Sequence, residues 1–213
     1  FRRTLTENAV LAELDLRINN LTAEGSVALY EAAAGDIAPA PGADGGADVP
    51  REDPLRPLNG VPLRAWKAKP PAFVQLTKAQ MRLPEAIVLR QTLRASPAGT
   101  LTTLDLSDNE IDGKAAEVIA EVCVRACALR TLELARNTLG PDGVKALARM
   151  LAENVSLTSV SLAANQLTRK GARLEGVECL EDVLRRNSTL TALDVDQNEI
   201  PDSLSLQLQD RVM

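Results

Sequence analysis

The chain has 213 residues, with 24 basic and 29 acidic side chains, a formal net charge of -5 and no histidine. Those counts exclude imidazole chemistry and a histidine-held metal, and they argue against a nucleic-acid backbone as the main partner. Apolar residues make up 45% and aromatics only 2%, so a core has to be built from Leu, Val, Ile and Ala.

In chain order, FRRTLTENAV (residues 1–10) matches the tail of a helix, with Leu5 and Asn8 in the places of Leu151 and Asn154 of a later copy. The chain thus opens in mid-repeat without a visible cap, as expected of a piece of something longer. LAELDLRINNL follows from Leu11. Its pattern returns as LTTLDLSDNEI from Leu101, LRTLELARNTL from Leu129, LTSVSLAANQL from Leu157 and LTALDVDQNEI from Leu190, in steps of 28, 28 and 33 residues. The last two apolar residues of each LxxLxL lie two apart, so on a strand they share a face. That predicts short parallel strands with Leu104 and Leu106, Leu132 and Leu134, Val160 and Leu162, and Leu193 and Val195 turned to a core. The Asn after each strand (Asn19, Asn109, Asn137, Asn165 and Asn198) is predicted to bond inward to backbone groups, as a structural ladder.

The second half of each unit reads as a helix. In GPDGVKALARMLAENVS (residues 140–156), Val144, Leu147, Ala148 and Leu151 make an apolar stripe, and Pro141 sits where its missing N–H costs little. One unit earlier, Ala116, Ile119, Ala120 and Cys123 hold the matching places. Ala115, Gly143 and Gly25 are equivalent small residues, expected to let each helix approach the sheet closely. The three cysteines (Cys123, Cys127, Cys179) have no disulfide or metal spacing and are read as buried small apolar residues in a reducing compartment. Cys123 and Cys127 are expected to share a helix face.

Other segments depart from the pattern. The first unit is expected to end near residue 38. IAPAPGADGGADVPREDPLRPLNG (residues 37–60) has no apolar period and reads as a flexible loop. VPLRAWKAKPPAF (residues 61–73) places Trp66, the only tryptophan, among Arg64, Lys67 and Lys69. It is expected either to bind a partner or to pin the loop to the solenoid. FVQLTKAQMRLPEAIVLRQTLRASPAGT (residues 73–100), set on the 28-residue ruler, is a weaker copy with Lys78 at a core leucine and Met81 at the Asn. TRKGA (residues 168–172) carries the extra length of the 33-residue unit and is expected to form an exposed basic bump. PDSLSLQLQDRVM (residues 201–213) is expected to be a terminal flank or irregular tail. The organisation is therefore residues 1–38 (partial unit plus first unit), 39–72 (insertion) and 73–213 (units starting near 73, 101, 129, 157 and 190).

Units such as LRTLELARNTLGPDGVKALARMLAENVS resemble the ribonuclease-inhibitor-like class of leucine-rich repeats, in the 28-residue period, the Asn position and the helical second half. The resemblance implies an α/β solenoid, a horseshoe or arc with parallel strands on the concave side and helices on the convex side. The class includes the ribonuclease inhibitor, the Ran GTPase-activating protein, the sensor regions of NOD-like receptors, and ciliary or cytoskeletal scaffolds. There is no acidic tail of the activating-protein kind and no GxxxxGK[ST] motif.

Scattered acids and unpaired Ser and Cys argue against catalysis. The expectation is a non-catalytic module for a protein partner within a larger complex, without cofactor or metal, and not for nucleic acid, membrane or a small molecule. No apolar run is long enough to span a bilayer. Cytoplasm, with a cytoskeletal or ciliary setting, fits. Outward strand positions predict the concave contact set: Glu13, Asp15 and Arg17; Gln75 and Thr77; Thr103, Asp105, Ser107 and Asp108; Thr131, Glu133 and Arg136; Ser159 and Ser161; Ala192, Asp194, Asp196 and Gln197. One column on the same ruler, Asp15, Thr77, Asp105, Glu133, Ser161 and Asp194, is mostly acidic and suits a basic or mixed surface. The alternatives are contact through the convex side or through Arg64, Trp66 and Lys67, as a structural subunit of a large assembly, or a regulator resembling the Ran GTPase-activating protein.

Overall fold

A computed structural model of the chain describes residues 71–95 and 100–210, together with Glu24 and Gly25. Strands and helices alternate: β1 (Phe73–Gln75), α1 (Leu83–Ala95), β2 (Thr103–Asp105), α2 (Gly113–Arg125), β3 (Thr131–Glu133), α3 (Gly140–Glu153), β4 (Ser159–Ser161), α4 (Glu175–Leu184), β5 (Ala192–Asp194) and α5 (Asp202–Asp210). The strands form one parallel sheet in sequence order, so each unit stacks on the one before it. This is the predicted solenoid, with the sheet on one side and helices on the other. The first unit apart from Glu24 and Gly25, and the insertion up to residue 70, lie outside the described residues, and with them Glu13, Asp15, Arg17, Asn19, Arg64, Trp66 and Lys67.

Each strand is only three residues long. Its middle residue points inward and its outer two lie on the opposite face, since successive side chains alternate. Leu104, Leu106, Leu132, Leu134 and Leu162 are fully enclosed, and Val160 and Val195 nearly so. Leu193, in the last strand, is only half-buried. Ile119, Cys123, Leu147, Leu151, Leu180 and Leu184 close the core from the helix side.

The register of β1 corrects the ruler. Phe73 pairs with Thr103 and Val74 with Leu104, a step of 30 residues. VQLTKAQM (residues 74–81) therefore lies on LDLSDNEI (residues 104–111). Lys78 is not at a core leucine: Leu76 takes the place of Leu106, and Lys78 that of Asp108, with φ near 55° in both. Met81 takes the place of Ile111 and is as fully buried. The ladder position falls to Ala79, so this unit lacks the carboxamide but not the strand.

From Asn109 onward the ladder is regular. Each Nδ2 donates to carbonyls of its own unit and of the unit before: Asn109 to Leu76 at 2.7 Å, Asn137 to Leu106 at 3.0 Å, Asn165 to Leu134 at 2.8 Å and Asn198 to Leu162 at 2.9 Å. Each Oδ1 accepts a backbone N–H of the unit before, as from Met81 and Ile111. A second lock, not read from the sequence, closes the helix-to-strand loops. Asn154 Nδ2 donates to Cys123 O and Asn187 Nδ2 to Leu151 O, both at 2.8 Å. Their Oδ1 atoms accept N–H groups two and three residues on. The shared signal was NVSL (residues 154–157) against NSTL (residues 187–190).

The small residues act between helices and not toward the sheet. A Cβ on Gly176 would stand 2.4 Å from Pro141 O and 2.4 Å from Val144 Cγ1, both on α3. One on Gly143 would meet Leu139 Cβ at 2.9 Å and Ala116 Cβ of α2 at 3.4 Å. Of the cysteines, Cys123 is buried as expected, and burial pushes its thiol up to about 12. Cys127 lies past the end of α2 and is exposed, so it does not share a helix face with Cys123, and Cys179 is half-buried. In the extra turn Arg169 and Lys170 are exposed at φ 46° and 61°, while Thr168 is fully enclosed and its hydroxyl donates to Asn198 O at 3.0 Å. The end of the chain is not irregular throughout: Asp202–Asp210 forms α5, which buries Leu208.

A candidate protein-docking face

Strand register assembles the concave face into columns. The central one is Gln75, Asp105, Glu133, Ser161 and Asp194, one residue per strand. Thr77 does not belong to it. The two-residue shift of β1 moves Thr77 beside Ser107, Ala135, Ala163 and Asp196. Thr103, Thr131, Ser159 and Ala192 form a further column, with the exposed Phe73 at its head. Ser107 and Ser161 are nearly buried, so the acids project past them. A broad groove is lined by Gln75, Thr77, Lys78, Asp105, Ser107, Asp108, Glu133, Arg136, Ser161, Asp194, Asp196 and Gln197.

The three central acids are not equivalent. Asp105 Oδ1 accepts the N–H of Ser107 at 3.0 Å, and its Oδ2 accepts from Gln75 Nε2 at 3.1 Å. Asp194 Oδ1 accepts the N–H of Asp196 at 3.1 Å, and its Oδ2 accepts from Ser161 Oγ at 3.0 Å. Glu133 stands between them without a side-chain hydrogen bond among the described residues. Burial, then the charges of Asp105 and Asp194, hold its carboxyl above the usual range.

The next rim is formed by Lys78, Asp108, Arg136, Ala164 and Gln197, all with φ between 54° and 58°. Backbone of this left-handed kind is costly for residues other than glycine. It turns the chain out of each strand and presents these side chains at the groove's edge. Arg136 donates Nε and Nη2 to the two oxygens of Asp108, each at 2.6 Å, and this pair holds the Asp108 carboxyl below its ordinary value. Lys78, read from the sequence as a failed core position, is a rim cation. The match of VQLTKAQM to LDLSDNEI was the signal that would have found it.

The raised carboxyl of Glu133 sets a sign. The folded chain binds this proton more tightly than the unfolded chain, so stability is lost as pH rises through the raised value. Glu133→Gln should therefore unfold at a modestly higher temperature than the parent at neutral pH. The difference should vanish in acid, below the ordinary glutamate value of 4.5, where Glu133 is itself protonated. Thermal unfolding at the two pH values checks this.

The convex side is charge-balanced by comparison. In successive helices, equivalent positions read Glu117, Lys145, Glu178 and Glu121, Arg149, Asp182, and at the helix ends Arg125 and Glu153 are followed by Arg186 just past α4. Ion pairs also bridge neighbouring units there: Arg90 with Glu121 at 2.9 Å and Arg173 with Asp142 at 3.1 Å. The concave column has no such alternation. Among the described residues no group of three or more His, Cys, Asp or Glu could hold a metal, and no helix is long and apolar enough to cross a membrane.

A family model described as "Leucine Rich repeat" matches residues 100–120, 126–148 and 186–203. Three units thus match as leucine-rich repeats, and the fold of residues 71–210 is that of a leucine-rich-repeat solenoid. No curated protein matches the chain as a relative. Among solved structures, leiomodin-1 actin-binding site 2 is similar, at 17% identity and a TM-score of 0.63, over 74% of this chain and 88% of that one. The tropomodulin C-terminal domain of Caenorhabditis elegans is 12% identical over 99% of this chain and 88% of that one, with a TM-score of 0.48. At 17% identity the likeness to leiomodin-1 is one of fold.

Proposed function

We propose that this leucine-rich-repeat solenoid is a non-catalytic protein-binding module of a cytoskeletal, actin-associated assembly, and that it receives its partner on the concave face. The observation that carries the concave reading is the acid column. Asp105, Glu133 and Asp194 lie on β2, β3 and β5 without a compensating cation in the column, and burial first, then the charges of its two neighbours, holds the Glu133 carboxyl above its ordinary range. Fold requirements alone do not keep such a column. Asp105 and Asp194 each give one oxygen to the backbone N–H two residues on, a bond that an uncharged threonine or asparagine also makes, and Glu133 makes none. A basic segment of a partner would relieve the repulsion and be steered by it. The support for the actin setting is the fold shared with leiomodin-1 actin-binding site 2. The finer class remains the ribonuclease-inhibitor-like one, supported by units of 28 residues with helices of 13 and 14 residues.

The partner is tested by titrating the full chain with monomeric actin and by co-sedimenting it with filaments. Binding to either form, weakening as salt is raised, is the expected result. A folded chain that binds neither form would remove actin as the partner. A docking contact of ordinary size buries about 1,200–2,000 Å² in total.

A further inference from the structure

We propose that Ser188 is a phosphorylation site for an arginine-directed serine/threonine protein kinase. The sequence at this point reads Arg185-Arg186-Asn187-Ser188. Two guanidinium groups two and three residues before a serine match the charge pattern that an acidic kinase cleft selects. The loop geometry turns this serine outward. Asn187 fastens the loop through Leu151 O on one side and through the N–H groups of Thr189 at 3.0 Å and Leu190 at 2.9 Å on the other. The residue inside that ring has no inward direction left. In the preceding unit the same place is held by Val155, which is 82% exposed, so the lock itself requires no hydroxyl there. The next hydroxyl in each loop is used: Thr189 Oγ1 donates to Asn187 Oδ1, and its equivalent in the preceding unit, Ser156 Oγ, donates to Ala126 O. Ser188 Oγ has no such partner among the described residues, and Ser188 is exposed.

The two arginines are reachable. α4 ends at Leu184, and residues 185–191 lie outside helix and strand. Arg185 is half-exposed while pairing with Glu181, and the Arg186 side chain is exposed without a partner among the described residues. Presenting the stretch in extended form requires opening this loop and the final helical turn, the part of a helix that frays first. In the reaction the Ser188 oxygen attacks the γ-phosphorus of ATP and forms the new P–O bond. The bond from that phosphorus to the β,γ-bridging oxygen breaks, ADP leaves, and the hydroxyl proton passes to the kinase's carboxylate. The added dianion lies within reach of Arg186, which offsets its unfavourable place at a helix C-terminus.

The test is incubation of the folded full chain with magnesium-ATP and the catalytic subunit of cyclic-AMP-dependent protein kinase, followed by mass spectrometry of the intact and digested chain. One phosphate located on Ser188 is expected. It should be absent from Ser188→Ala and formed roughly tenfold or more slowly on Arg185→Ala/Arg186→Ala, the fold-change of losing a charge-assisted hydrogen bond. A folded chain that takes no phosphate, takes it elsewhere, or takes it on Ser188 only after denaturation would overturn the assignment. So would an unchanged rate on the arginine variant.

Discussion

Replacing Asn165 with alanine should lower the unfolding free energy by about 3 kcal/mol, read by urea denaturation. Asn165 is fully enclosed. Its Nδ2 donates to Leu134 O at 2.8 Å, Leu162 O at 3.0 Å and Ala163 O at 3.0 Å, and its Oδ1 accepts from Leu139 N at 3.4 Å. Leu134 O and Leu162 O keep one donor each after the change, from Asn137 and Asn198, so neither carbonyl is stranded outright. What is lost is two N–H donors shared among three carbonyls, at roughly 1 kcal/mol each, and a small cavity and an unpaired Leu139 N–H bring the cost to about 3 kcal/mol. Asn165→Asp separates shape from polarity. It keeps the volume but turns an acceptor toward three carbonyls, so it should be at least as damaging as alanine. A loss under 1 kcal/mol for both would mean that the ladder does not hold the units together.

Gly176→Ala is the second large effect, a loss of about 2 kcal/mol. The new methyl would stand 2.4 Å from Pro141 O. That atom belongs to the backbone of α3, so relief requires moving α4 bodily away from it. Alanine's better helix propensity returns about 0.8–1 kcal/mol and is outweighed. Gly113→Ala is the matched control. Its nearest contact is 3.3 Å from Gly143 N, so the propensity gain and the mild crowding should nearly cancel. Comparable losses at both positions would contradict the close approach of α3 and α4 as the cause.

The repeat, the inward leucines and the Asn ladder were legible because backbone geometry dictates them. Alternation along a strand fixes which leucines turn inward, and a buried turn must satisfy its own N–H and C=O groups. Three features were not legible, each for a physical reason. The β1 unit is 30 residues long, and a ruler with a constant step slides past a strand of three residues without penalty. The glycines sit between helices, a distance that no single unit contains. Cys127 follows Cys123 by a helical interval, but α2 stops at Arg125.

The candidate face was legible as an arrangement and not as an energy. That Asp105, Glu133 and Asp194 share a column follows from the period. That only Glu133 is left without a hydrogen bond follows from side-chain length. Aspartate reaches its own backbone two residues on, as Asp105 and Asp194 do, whereas Glu133 extends past that point into the groove.

The concave reading is tested most directly by the affinity of Asp105→Arg/Glu133→Arg for the bound partner, beside the parent chain and a convex control, Glu117→Arg/Lys145→Glu. Asp105 and Glu133 are half-buried and Glu117 and Lys145 are exposed, and far-ultraviolet circular dichroism verifies the fold of each variant. The account predicts that the concave variant loses binding and the convex control retains it. Retained binding by the concave variant, with loss in the convex control, would contradict it.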